Sequence, residues 1–206
     1  MSGLRERKKA ETRAALSWAA IRLAVAHGFD NVLVEDIAQT VGVSPRTFNN
    51  YFSSKAEAIA ARHLDRSRRV ADALRGRPPG EPLWPAITAA ALTQFEPGPE
   101  VAQSPPAAHA EWTSGLRMML AEPALQGEML RAGAVAEAEL AAAVAERTGT
   151  DPERDLYPHL VAAAVSAAVG AVTRHFLHAD PPVAMERLLP DALAQLAAGL
   201  PPPVAG

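Results

Sequence analysis

The run VGVSPRTFNNYF, residues 41–52, decides the fold of this chain. It sets a glycine between two valines and a serine directly before a proline, then a polar series closed by Tyr51 and Phe52. Gly42 reads as the end of one helix, and Ser44 with Pro45 as the start of the next. A serine oxygen accepts orphan backbone N–H groups of a first helical turn, and proline, having no N–H, is at home at the first helical position. The turn is residues 42–44, short enough to hold two helices as a helix-turn-helix, whose second helix can lie in a DNA major groove. A helix built only to fill a core would not carry Arg46, Thr47, Asn49 and Asn50 so close together.

Upstream, residues 5–27 read as a long helix, with Leu16, Ala19, Ala20, Leu23 and Ala26 at helical spacing and Gly28 as a left-handed stop. Residues 34–41 form a second helix, with Ile37, Ala38 and Val41 on one face and Glu35 and Asp36 where the helix dipole favours negative charge. Leu33 is a poor cap, so packing, Asp30 or Asn31 must hold that start. Downstream, the SKAE of residues 54–57 is a capping box that begins a fourth helix reaching residue 75. RGRPPGEP, residues 75–82, cannot continue it. Further helices are expected at 83–95, 107–121, 124–147, 153–177 and 183–200, with a flexible loop at 96–106 and an interruption or kink after Leu189 at Pro190. The expected fold is all-α with about nine helices: a three-helix helix-turn-helix domain over 1–54, a connecting helix over 55–76, an antiparallel helical bundle over 77–200 and a disordered tail over 201–206.

Composition agrees with this class. Of 206 residues, 49% are hydrophobic but only 5% aromatic, and alanine dominates, which favours close-packed helices over strands. Cysteine is absent, which excludes disulfides and thiolate chemistry and fits a cytoplasmic protein. The charged N-terminus lacks the apolar core of a secretion signal. The longest apolar run, residues 160–172, falls short of the roughly 20 residues that span a bilayer, so no membrane partner is expected. Residues 1–77 carry 14 Lys and Arg against 8 Asp and Glu, a net +6, while residues 78–206 carry 6 against 15, a net −9; together these make the −3 of the chain. A basic first part suits a polyanion, although a basic face can equally be solvated.

The run GFDNVLVEDIAQTVGVSPRTFNNYFSSKAEAI, residues 28–59, closely resembles the DNA-binding domain of the tetracycline-repressor (TetR) family in the order and spacing of its glycine turn, Thr-Phe, Tyr-Phe and Ser-Lys elements. The resemblance covers about residues 5–65. It implies a homodimer whose two recognition helices enter successive major grooves of double-stranded operator DNA. It further implies that residues 77–200 supply a dimer interface and an effector pocket, and that a small apolar or amphipathic ligand releases a repressor from a palindromic operator. From the residues themselves, Ser44, Arg46 and Thr47 lie at the reading end of the helix: Arg46 suits guanine, and Thr47 a phosphate or a thymine methyl. Asn49 and Asn50 can read adenine edges or bond phosphates. The resemblance gives Tyr51 and Lys55 phosphate contacts, which would be salt-sensitive and largely blind to sequence. Asn49 departs from the family, which often has tyrosine there. Val43, Phe48 and Phe52 read as anchors to the core. Arg5, Arg7, Lys8, Lys9 and Arg13 form either an arm along the DNA backbone or into the minor groove, or a solvated terminus.

In the second domain, the helix over 153–177 is apolar on nearly every side and must be covered all round. Ala164, Ala168 and Val172, with Ser166 and Gly170, make it a candidate dimer interface together with the last helix, or else a helix buried within one subunit. Trp84, Phe95, Trp112, Met118, Met119, Met129 and Phe176 are candidate pocket linings, with Arg117, His109, His159, Arg174 and His175 as possible polar anchors. Similarity to some relatives with a comparable basic start and recognition helix points to an acyl-coenzyme A-like effector. No cofactor is expected. His175 and His178 lack a third ligand at diagnostic spacing, and no nucleophile elbow, phosphate loop or dinucleotide fingerprint is present, so the chain does not read as an enzyme. The alternative is a small helical enzyme or protein-binding adaptor that binds no DNA sequence specifically.

Overall fold

The computed structural model describes residues 2–95, 113–118, 120–179 and 183–201. The loop at 96–106, most of the tail, and His109, Trp112 and Met119 lie outside them. Every regular element among the described residues is helical: α1 (Ser2–His27), α2 (Val34–Val41), α3 (Pro45–Asn49), α4 (Lys55–Arg75), α5 (Leu83–Leu92) with a following 3-10 turn (Thr93–Phe95), α6 (residues 113–118 and 120–121), α7 (Pro123–Thr148), α8 (Tyr157–His178) and α9 (Met185–Ala197). The chain forms two compact units, Met1–Asp65 with Pro97–Ala132 and Arg66–Glu96 with Gly133–Gly206. The division falls inside α4 and α7, so each of these helices contributes to both units.

In the first unit, Leu16, Ala19 and Ala20 of α1 are buried with Ile37 and Ala38 of α2, Phe48 of α3, Phe52, and Ala58 and Ile59 of α4. Leu125 joins them fully buried, and Met118 packs against the cluster. Ala26 is exposed; Ala24 and Ile21 complete the buried face of α1 in its place. Ser17, also buried on that face, donates its hydroxyl to the Ala58 carbonyl. The start of α2 is held by a residue not anticipated for it: the Asp36 carboxylate accepts from Leu33 N–H at 2.9 Å, while Asn31 bonds back to the His27 carbonyl. At the start of α4, Ser54 Oγ accepts from Glu57 N–H as expected of a capping box. Glu57 reaches one residue further back, accepting from Ser53 N–H and its hydroxyl, both at 2.7 Å.

In the second unit α9 packs against α8 and α5. Met185, Leu189 and Leu193 of α9 are buried, as are Ala86, Ile87, Ala90 and Ala91 of α5 and Val161, Ala162, Val165, Ala168 and Val172 of α8. Helix α9 runs through Pro190 without interruption. Only six positions into the helix, that proline forfeits one backbone hydrogen bond, and the buried leucines on either side hold the helical path. Helix α8 begins at Tyr157, later than expected, because Pro158 is tolerated only in a first turn. The preceding residues fold as a turn around Asp151, whose carboxylate accepts from Glu153 N–H. Two ion pairs seven residues apart on both helices, Arg68 with Glu139 at 2.9 Å and Arg75 with Glu146 at 3.0 Å, join α4 to α7. The Arg147 guanidinium donates to the carbonyls of Pro78 at 2.7 Å and Glu81 at 2.6 Å, pinning the proline-rich turn. Glu81, hydrogen-bonded by Arg77, has its carboxyl held below the ordinary carboxylate range.

The two faces of α8 differ. Ala168 and Val172, expected at an interface, face inward within the unit, whereas Leu160, Ala163, Ser166, Ala167 and Ala171 are exposed. By length and composition α8 is also apolar enough to cross a bilayer, since its ends extend the run at 160–172; only 28% of its most apolar window is buried in this chain. A core helix of a soluble protein passes the same test.

Candidate nucleic-acid interface

The interface is built on the turn between α2 and α3. Gly42 adopts φ +75°, and α2 closes there with Val43 N–H donating to Ala38 O and Gly42 N–H to Gln39 O, both at 3.0 Å. Among the described residues no heavy atom comes within 4 Å of a Cβ placed at this position, so the backbone angle is what demands glycine. Ser44 follows in extended geometry, and its Oγ accepts from Thr47 N–H at 3.1 Å and lies 2.9 Å from Thr47 Oγ1. With Pro45 next, α3 starts abruptly and in one direction.

Five residues are too few for a helix to persist alone, so α3 depends on its neighbours. Phe48 and Phe52 supply the hold. Both are buried, their ring centroids are 5.7 Å apart, and the rings are tilted by 52°. Val43 and Tyr51 pack beside them on the first unit's core. Because Phe48 points inward, Ser44, Arg46, Asn49 and Asn50 are exposed, while Thr47 and Tyr51 are half-buried. Helix α3 ends at Asn49, and Tyr51 sits in the turn beyond it, its N–H bonded to the Phe48 carbonyl at 2.8 Å. One short surface thus gathers a guanidinium and two amides, the groups suited to guanine and adenine edges.

The basic residues divide in a way the sequence does not show. Arg5, Arg7, Lys8 and Lys9 are exposed along α1, which is already helical at Ser2, and Arg7 pairs with Glu11 at 3.2 Å. A helix about 10–12 Å across cannot enter a minor groove about 6 Å wide, so insertion as an arm does not fit this terminus. Arg13 faces the other way. Its Nη1 donates to both Asp65 oxygens at 3.1 and 2.9 Å, and its guanidinium lies 5.2 Å from the Phe52 ring centroid. The Lys55 ammonium is turned onto the α1–α2 loop, 2.7 Å from the Phe29 carbonyl and 2.9 Å from that of Val32. Trp18, not singled out in the sequence, stacks under the Arg62 guanidinium at 4.5 Å, and its Nε1 is buried with no hydrogen-bond partner among the described residues. Its one legible signal was the scarcity of tryptophan, three in the chain.

The candidate effector residues are distributed over both units. Arg117, Met118 and Met129 belong to the first, where Arg117 is exposed and Met118 packs on the core. Trp84 and Phe95, half-buried, belong to the second, as do the exposed His159 and His175. His159 Nε2–H donates to the Pro152 carbonyl at 2.7 Å, tying down the turn before α8. Among the described residues no group of three acidic, histidine or cysteine side chains is placed to hold a metal ion.

A short helix fastened by two buried aromatics behind a glycine turn, with its polar side bare, defines a helix-turn-helix DNA-binding regulator. Residues 18–61 match the family described as bacterial regulatory proteins, tetR family, and residues 81–201 match that described as the MftR C-terminal domain. The chain is 34% identical over 182 residues to the HTH-type transcriptional regulator TcmR of Streptomyces glaucescens, covering 86% of this chain and 79% of that protein. In fold it is similar to a TetR-family regulator of Rhodococcus sp., with a TM-score of 0.58 and 23% identity over 93% of this chain and all of that one. A second likeness is to a TetR-family regulator of Mesorhizobium loti, with a TM-score of 0.56 and 16% identity over 92% and 96% of the two chains. This protein belongs to the TetR family of transcriptional regulators.

Proposed function

We propose that this regulator is a repressor that binds a palindromic operator as a homodimer and leaves it when a small apolar or amphipathic effector binds. The observation that carries the reading is the exposed polar side of α3, where Arg46, Asn49 and Asn50 stand clear of the core that Phe48 and Phe52 hold. Arg46 takes the base-reading role, Asn49 and Asn50 read adenine or bond phosphate, and Ser44, Thr47 and Tyr51 position the helix on the backbone. The exposed small-residue face of α8 supports a second copy as its cover, because Ala163, Ala167 and Ala171 allow close helix approach. In such a dimer the two reading helices dock together when they stand about one DNA turn, roughly 34–36 Å, apart. An effector needs to favour the mismatched spacing by only about 1.4 kcal/mol to shift the binding equilibrium tenfold.

The test begins with footprinting of the DNA beside the protein's own gene, using the purified full chain. Protection of a palindrome, lost on adding one member of a panel that includes acyl-coenzyme A thioesters, is the expected result. Absence of any preference for that DNA over random duplex would count against operator binding. Thermal unfolding against the same panel reports the effector independently, since a ligand of the folded state alone raises Tm.

A further inference from the structure

The start of α4 carries a lysine whose surroundings differ from those of a phosphate-binding group. Lys55 Nζ lies 2.7 Å from the Phe29 carbonyl, 2.9 Å from that of Val32 and 3.4 Å from that of Asp30. It also lies 4.4 Å from the centroid of the Phe29 ring. An ammonium has three N–H donors and no more. Here three carbonyl oxygens of one turn converge on them, and an aromatic face covers the cation.

That turn needs a fastening. It leaves α1 through Gly28 at φ +84°, and its own backbone bonds are long, Asn31 N–H to Gly28 O at 3.3 Å and Val32 N–H to Phe29 O at 3.4 Å. Yet it must deliver Val32, 3% exposed, to the core and then start α2 at Val34, which in turn packs against α3. We infer that Lys55 is a positioning residue that clamps the α1–α2 turn to the foot of α4 and so sets α2 and the reading helix, instead of contacting a phosphate itself. Its effect on DNA affinity rests on the role of α3 proposed above; its hold on the turn does not.

The two roles separate experimentally in the full-length protein. Lys55→Met and Lys55→Arg would be compared with the parent for binding to a mixed-sequence duplex across a salt series, and for amide hydrogen exchange at residues 29–34 without DNA. Removing a phosphate contact makes the plot of log K against log salt shallower by about 0.9 for each contact. Removing a clamp leaves that slope unchanged, lowers affinity at every salt concentration, and quickens exchange across the turn by about tenfold or more. Lys55→Arg keeps the charge, but its planar fork cannot converge on three carbonyls, so it should also quicken exchange while a phosphate contact would survive in it. A shallower slope in Lys55→Met, or unchanged exchange at residues 29–34 in Lys55→Arg, would overturn the assignment. Should Lys55→Met not fold, exchange in Lys55→Arg decides alone. A parent protein without salt-dependent duplex binding would remove the DNA-binding role of α3 and leave the exchange result to judge the clamp.

Discussion

Ser44 and Arg46 are two positions apart and face different surroundings. Ser44 turns its oxygen to Thr47 N–H, whereas Arg46 is exposed. Replacing Arg46 with alanine should cost the operator complex about 1–3 kcal/mol and relax preference at one base position, if the guanidinium makes a bidentate guanine contact. Competition between operator duplexes substituted one base at a time measures both effects. Equal losses across all duplexes would reassign Arg46 to the phosphate backbone. Ser44 was legible as a cap because its chemistry is local: the acceptor and the N–H it satisfies are three residues apart. The turns of Arg13 toward Asp65 and of Lys55 toward Phe29 were not, because their partners lie 52 and 26 residues away.

The starts of α2, α3 and α4 and the stop of α2 each follow from a group a few residues away. Gly42 closes α2 at a positive φ with open space around it. Gly42→Ala should therefore destabilise the fold by roughly 1–2 kcal/mol through backbone strain alone, read from the denaturant midpoint. An effect much below that range would mean that the turn relaxes out of the left-handed region. The link from α1 to α4 through Arg13 and Asp65 is half exposed, with side chains 31% and 37% accessible. A double-mutant cycle on Arg13→Ala and Asp65→Ala should return a coupling of about 0.2–1 kcal/mol, as for exposed pairs. Arg13→Ala alone should cost more than Asp65→Ala, because it also removes the guanidinium from the Phe52 ring. The sequence grouped Arg13 with the basic N-terminal residues, since nothing in a run of charges says which one turns inward.

At the scale of the whole molecule, the unanswered demand is the bare side of α8. Leu160 remains 57% exposed, and Ala163, Ala167 and Ala171 continue its line along the helix. If a second copy covers this side, Ala167→Glu should convert the dimer to monomers in sedimentation. The same change should abolish tight operator binding while leaving the helical content of the monomer intact. A dimer that persists unchanged would place the interface elsewhere. Composition marked α8 as a helix needing cover on every side, but it could not divide that cover between this chain and a partner. Small residues recur on both faces, and the stripe expected outside, Ala168 and Val172, turned inward.

By itself the sequence determined what depends on neighbours along the chain: an all-helical protein, a glycine turn between two short helices, a capped and proline-led recognition helix, and a polar face held by two aromatics. Propensity, capping and periodicity act over a few residues, so their record survives in one dimension. Tertiary structure alone decided which charges serve the fold, which side of α8 is buried, and that α4 and α7 each belong to two compact units. Those outcomes depend on groups tens of residues apart finding hydrogen-bonding distance, and no local pattern encodes which of several equivalent side chains will do so.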